Sequence, residues 1–133
     1  MRALLLIVFI QACFSHAKGL EGTQWKVRSH KIFGDDPSWT NDEAEAVTGK
    51  TVSFGKGQFK IGKASCKMKI TPQQDGRNWT AGEKDPCDGE NLKGRVYSLT
   101  LDNCEARFPG TVALTEKHAV AFGAGVSFCL EKK

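Results

Sequence analysis

Thr51-Val-Ser-Phe54, Gly55-Lys-Gly57 and Gln58-Phe-Lys-Ile61 follow one another without a break, and this stretch decides the fold. Two short runs of β-branched and aromatic residues flank a glycine-containing loop, the pattern of a β-hairpin. Helical signals vanish from Lys50 onward. Downstream, Cys66, Met68 and Ile70 alternate with Lys67 and Lys69, which predicts a strand ending at Pro72, where the ladder donor is missing. Arg77 to Ala81 reads as a further short strand around Trp79, and Ala81 to Asn91 as a loop stapled through Cys87. Arg95-Val-Tyr-Ser-Leu-Thr-Leu101 is strongly β and stops at Asp102-Asn103. Arg107-Phe108 leads into the turn Pro109-Gly110. Thr111 to Leu114, His118 to Phe122 and Val126 to Leu130 complete the run, with Gly123-Ala-Gly125 as the last hairpin loop.

Working back toward the N-terminus, Thr23-Gln-Trp-Lys-Val-Arg-Ser-His-Lys-Ile32 also alternates. Trp25 and Val27 share one face, and Lys26, Arg28 and His30 the other. Gly34-Asp-Asp-Pro37 ends that strand. Thr40-Asn-Asp-Glu43 fits a capping box for a short helix, with acids in the first turn and Gly49 at the exit. The fold class is therefore all-β: a small antiparallel barrel of about eight strands with one short helix. Closure follows because so many short strands would otherwise leave edges open to pairing with other chains.

The first seventeen residues form a separate segment. Arg2 precedes the apolar run Ala3 to Ile10, and Ser15-His16-Ala17 offers the small residues of a cleavage site. The run falls well short of the ~20 residues that span a bilayer. Residues 1–17 therefore read as a signal peptide and 18–133 as a single β-barrel domain, secreted or periplasmic. Ile10-Gln-Ala-Cys13 also resembles a bacterial lipobox. If Cys13 is acylated, the alternative is an outer-membrane-tethered lipoprotein, the one route by which this chain meets a membrane.

Either route leaves Cys66, Cys87, Cys104 and Cys129 to form two disulfides in one of three connectivities. No cysteine pair has C-x-x-C spacing, and neither His30 nor His118 is near a cysteine in sequence, so no metal is expected. Processing at Ala17 removes Arg2 and takes the formal charge of +4 down by one. With a pI of about 8.8 the chain falls short of the usual nucleic-acid flag. No G-x-S-x-G turn, thiolate–histidine pair or other catalytic pattern is present, so no enzyme activity and no cofactor are expected. The acids of Glu83 to Glu90 lack the spacing of a calcium loop. Asn78-Trp79-Thr80 matches a glycosylation acceptor.

Two surfaces remain as candidates. Trp25, Phe54, Phe59, Phe122 and Phe128 fall on predicted inward positions, where they either fill the barrel or line a cup for an apolar ligand. Between Val47 and Gln74 there are six lysines and no acid, and Lys60, Lys67 and Lys69 share the outer face of one hairpin. That ridge suits an anionic partner, or simply blunts edge pairing. Trp39, in the loop before the helix, reads as a recognition residue or as a lid over a barrel mouth.

Leu20-Glu-Gly22-Thr-Gln-Trp25-Lys-Val27, the short acidic helix, and Val47-Thr-Gly49-Lys50-Thr-Val52-Ser-Phe54 together resemble small bacterial periplasmic proteins of lipocalin-like fold. Phe122-Gly-Ala-Gly125-Val-Ser-Phe128-Cys-Leu130 looks like their last hairpin. Gly22 and Trp25 enclose two residues where the lipocalin signature has one. The resemblance implies a lipocalin-like barrel. Taken with the residues, it leads to an exported monomeric binding protein for an apolar small molecule or an extracellular protein. An inhibitor of an extracellular enzyme, a lysozyme or a protease, is the alternative. Lysozymes are commonly basic, so a basic inhibitor would lack the complementary field.

Overall fold

The computed structural model describes residues 19–33, 38–72, 85–90 and 94–133. The elements run β1 (Thr23–Ile32), α1 (Asn41–Val47), β2 (Thr51–Phe54), β3 (Gln58–Ile61), β4 (Ala64–Pro72), β5 (Arg95–Asp102), β6 (Thr111–Leu114), β7 (Ala119–Gly123) and β8 (Val126–Lys132). Each strand pairs antiparallel with its sequence neighbour, and β8 closes on β1, giving an eight-stranded barrel. The signal segment with Cys13, the turn at 34–37, and the strand expected around Trp79 with its Asn78 sequon lie outside the described residues. No helix among the described residues is long and apolar enough to cross a membrane.

The hairpin that decides the fold forms as its sequence implies. Val52 pairs with Ile61 and Phe54 with Phe59, all four buried, while Ser53 and Lys60 face out. Gly57 holds φ at +73°, a conformation that costs glycine little because it has no Cβ. The helix is started by the capping box: Glu43 N–H donates to the Thr40 hydroxyl at 3.1 Å, and Thr40 N–H donates to the Glu43 carboxylate at 2.9 Å.

Strand β1 departs from simple alternation. Its register against β8 shifts between Val27 and Ser29, a β-bulge that inserts one residue. Beyond it the phase reverses. His30 pairs with Phe128 and Ile32 with Val126, both partners belonging to the interior cluster. His30, expected on the polar face with Lys26 and Arg28, is thus turned to the inner face. There its Nδ1 meets the Thr48 hydroxyl at 3.1 Å and the Glu45 carboxylate at 3.6 Å.

A second correction concerns Phe122. In β7, Ala119 and Ala121 belong to the interior cluster, whereas Val120 and Phe122 belong to a separate one with Val96 and Ala113. Alternation along the strand puts that second cluster on the outside of the barrel. Val96, Ala113, Val120 and Cys129 are neighbours across four strands through their pairing. The Cys87–Cys129 disulfide draws the 85–90 loop toward this apolar row, and Cys87 packs against it. Strand β7 therefore reads as apolar on both faces, with Val96, Ala113 and Cys129 continuing its outer row, and Phe122 is buried without lining the interior.

Candidate functional site

One end of the barrel gathers the β1–β2, β3–β4, β5–β6 and β7–β8 connections, and two of them fold inward. The segment before α1 carries Trp39, which is buried and meets Phe128 edge-on with centroids 5.4 Å apart. From the opposite rim the β5–β6 loop is tied to β4 by the Cys66–Cys104 disulfide. Held this way, Phe108 enters the interior. It stacks on Phe128 at 6.2 Å and approaches Phe59 at 4.9 Å and Phe54 at 6.2 Å.

The two rims meet over the mouth. The Arg107 guanidinium stands 4.3 Å from the Trp39 ring centroid and donates to the Glu43 carboxylate at 3.1 Å. Glu43 thus serves both the helix cap and this bridge. The Thr40 amide and hydroxyl, with the Arg107 charge beside them, hold its carboxyl below the ordinary value. Between the rims lies an open cleft of about 240 Å³, lined by Trp39, Ala46, Val47, Ile61 and Ala106, with Glu43, Arg107 and Lys50 at its polar edge. Phe33, the large apolar side chain left exposed among the described residues, follows β1 at this same end, its N–H donating to Gly125 O.

Each expected site residue now has a place. Trp25, Phe54, Phe59 and Phe128 are brought together in the interior, where they pack with Phe108 rather than line an open cup. Trp39 is buried against Phe128 and so is not exposed, against the expectation of an exposed recognition residue. Lys60, Lys67 and Lys69 are exposed on the outer face of β3 and β4, and none of them is paired with a carboxylate among the described residues. Cys66 pairs with Cys104 and Cys87 with Cys129. No family model, curated protein or solved structure matches this chain.

Arg107, Phe108 and the apolar floor of Val47, Ile61 and Ala106 were not expected as site residues. In the sequence Arg107-Phe108 reads only as the approach to a turn. The available signal was Cys104 three residues earlier, since a stapled loop ending in a bulky aromatic is held close to its anchor strand.

At the far end of the barrel, Asp85 and His118 form a hydrogen-bonded pair between Oδ2 and Nε2. Asp85 is buried, and its other oxygen accepts the Cys87 N–H at 2.8 Å. Sequence spacing pointed away from any histidine–cysteine cluster, yet the fold carries His118 to Cys87. Asp88 and Glu90 of the same loop are exposed, and Glu83 lies outside the described residues.

Proposed function

We propose that this chain is an exported binding protein whose barrel mouth takes an apolar side chain of an extracellular protein with an acidic surface. The observation that carries the reading is the combination of an axis occupied by Phe54, Phe59, Phe108 and Phe128 with an apolar cleft above it. A packed axis disfavours a fatty-acid-like ligand inside the barrel. A volume of about 240 Å³ is below the ~300–1,000 Å³ of drug-sized pockets, and it suits a single anchoring side chain. Lys50 stands at the cleft, and Lys60, Lys67 and Lys69 extend the positive surface down the barrel wall, which favours an acidic partner. Two disulfides fit an oxidising compartment, in keeping with a secreted or periplasmic site of action, free or tethered through Cys13. The resemblance to lipocalin-like periplasmic proteins belongs to the same reading.

The inhibitor reading is a special case in which the partner is an enzyme. The filled interior favours it over an apolar-ligand carrier, and the lysine ridge favours an acidic protease over a basic lysozyme.

Amide and methyl chemical-shift mapping tests the proposal. Short acidic peptides containing one phenylalanine should perturb Ala46, Val47, Ile61 and Ala106, and the same peptides with alanine in its place should do so much less. Shifts centred on Phe54, Phe59 and Phe128 on adding a fatty acid would instead establish an interior ligand site. If neither probe moves any resonance, the mouth is not a binding site.

A further inference from the structure

The far end of the barrel holds a second set of chemistry-bearing side chains, independent of the mouth. Single ligand atoms of Asp85, Cys87 and His118 lie within 4.8 Å of one another. Cys129 is bonded to Cys87, which brings its sulfur next to these three without placing it within the same distance of all of them. The geometry points to a zinc site, formed by Cys87, Cys129, His118 and Asp85 when the Cys87–Cys129 disulfide is reduced.

Four features support it. First, two thiolates, an imidazole and a carboxylate make a four-coordinate set of the donor types zinc prefers. Second, His118 Nε2 and Asp85 Oδ2 already face each other across a hydrogen bond beside Cys87, so a metal ion would take one ligand atom from each in place of that bond. Third, the supporting contacts are built in. Asp85 Oδ1 accepts the Cys87 N–H at 2.8 Å, leaving Oδ2 free to ligate. The His118 backbone is fixed by Thr115, whose hydroxyl accepts the His118 N–H at 3.0 Å and donates to the His118 carbonyl at 2.9 Å. The loop itself is closed by Asp85 N–H donating to Glu90 O and Gly89 N–H donating to Asp85 O, both at 2.7 Å.

Fourth, the backbone permits it. With Zn–S bonds of about 2.3 Å, two thiolates on a tetrahedral ion stand about 3.8 Å apart. A Cα–Cα separation of 5.2 Å between Cys87 and Cys129 allows that spacing by side-chain rotation.

The chemistry balances with a dithiol as the reductant. One dithiol transfers two electrons and two protons to the Cys87–Cys129 bond, leaving two cysteine thiols and the oxidised dithiol. Zinc then displaces both thiol protons, His118 ligates through Nε2 as the neutral imidazole with its proton on Nδ1, and Asp85 ligates as the carboxylate; the oxidised form cannot hold the ion because its sulfurs are bonded to each other.

Residue-resolved alkylation of the full mature protein tests this. The protein is reduced anaerobically with a phosphine, divided, and treated with iodoacetamide under native conditions with and without zinc. Zinc should slow alkylation of Cys87 and Cys129 by about tenfold or more, while Cys66 and Cys104 react alike in both samples. Cobalt(II) in place of zinc should give tetrahedral d–d bands and a sulfur-to-metal charge-transfer band with the reduced protein and not with the oxidised one. His118→Asn and Asp85→Asn should each weaken cobalt binding by about tenfold or more at unchanged far-ultraviolet circular dichroism. Equal alkylation with and without zinc, protection centred on Cys66 and Cys104, or undiminished cobalt affinity in both variants would overturn the inference. So would a reduced chain that zinc leaves unfolded.

Discussion

Arg107 lies over Trp39, with its guanidinium carbon 4.3 Å from the ring centroid, although the two residues come from opposite rims of the barrel. The contact joins the segment before the helix to the disulfide-tied β5–β6 loop, and Glu43 pairs with the same guanidinium. Both charged groups are about half exposed, so solvent screening keeps each contact weak. The bridge therefore shapes the mouth more than it stabilises the fold.

Arg107→Ala should lower the unfolding free energy by no more than about 1–2 kcal/mol, yet markedly change the environment of Trp39. The indole N–H resonance of Trp39 reads this directly, since Trp25 is anchored elsewhere by its Nε1–H bond to the Thr23 hydroxyl at 2.8 Å. An unmoved Trp39 resonance would show that the lid is held by Phe128 alone.

Phe108→Ala attacks the plug itself. Removing a buried phenylalanine that contacts three others should cost about 3–5 kcal/mol in urea unfolding, with a cavity left on the barrel axis. A small apolar probe such as benzene should then stabilise the variant and leave the parent protein unaffected. Equal stabilisation of both would mean that the parent interior already admits ligands.

Acid should weaken the mouth through Glu43. Its carboxyl is held below the ordinary value of 4.5 in the folded protein, so the native state favours the ionised form. That contribution is fully present above the unfolded value and is lost as pH falls through the lower folded value. Stability should thus decline as pH drops below about 4.5, with Glu43→Gln showing a shallower decline over that window. Thr40→Ala should remove the cap at about 1 kcal/mol and raise the Glu43 titration midpoint, as followed by carboxyl carbon shifts.

How far the sequence carried this picture depended on whether a feature was local. The hairpin at 51–61, the capping box at Thr40 and the strand ending at Pro72 rest on neighbours in sequence, and all three form as expected. Phase was harder. Ala119-Val-Ala-Phe122 is apolar at every position, so alternation alone cannot say which pair faces in, and the answer depends on a loop docked through Cys87. In β1 the even-numbered Ile32 breaks parity with Trp25 and Val27, the one local trace of the bulge that turns His30 inward. Trp39 and Phe108 come from loops with no period. What joins them is a disulfide pairing that spacing left open among three choices.

The two disulfides should therefore separate in their consequences. Each closes a loop of comparable size, 38 and 42 residues apart, so either loss should cost on the order of 4 kcal/mol through the unfolded chain. Their native contacts differ. Replacing Cys66 and Cys104 by serine frees the loop that carries Arg107 and Phe108, so amide exchange should rise at 104–108 and the Trp39 resonance should shift. Replacing Cys87 and Cys129 uncovers the outer row of Val96, Ala113 and Val120 instead, raising exchange at 85–90 and increasing binding of an apolar dye, with Trp39 unmoved. If both double variants changed the Trp39 resonance alike, the mouth would not be an independent unit, and its shape would depend on the barrel wall as a whole.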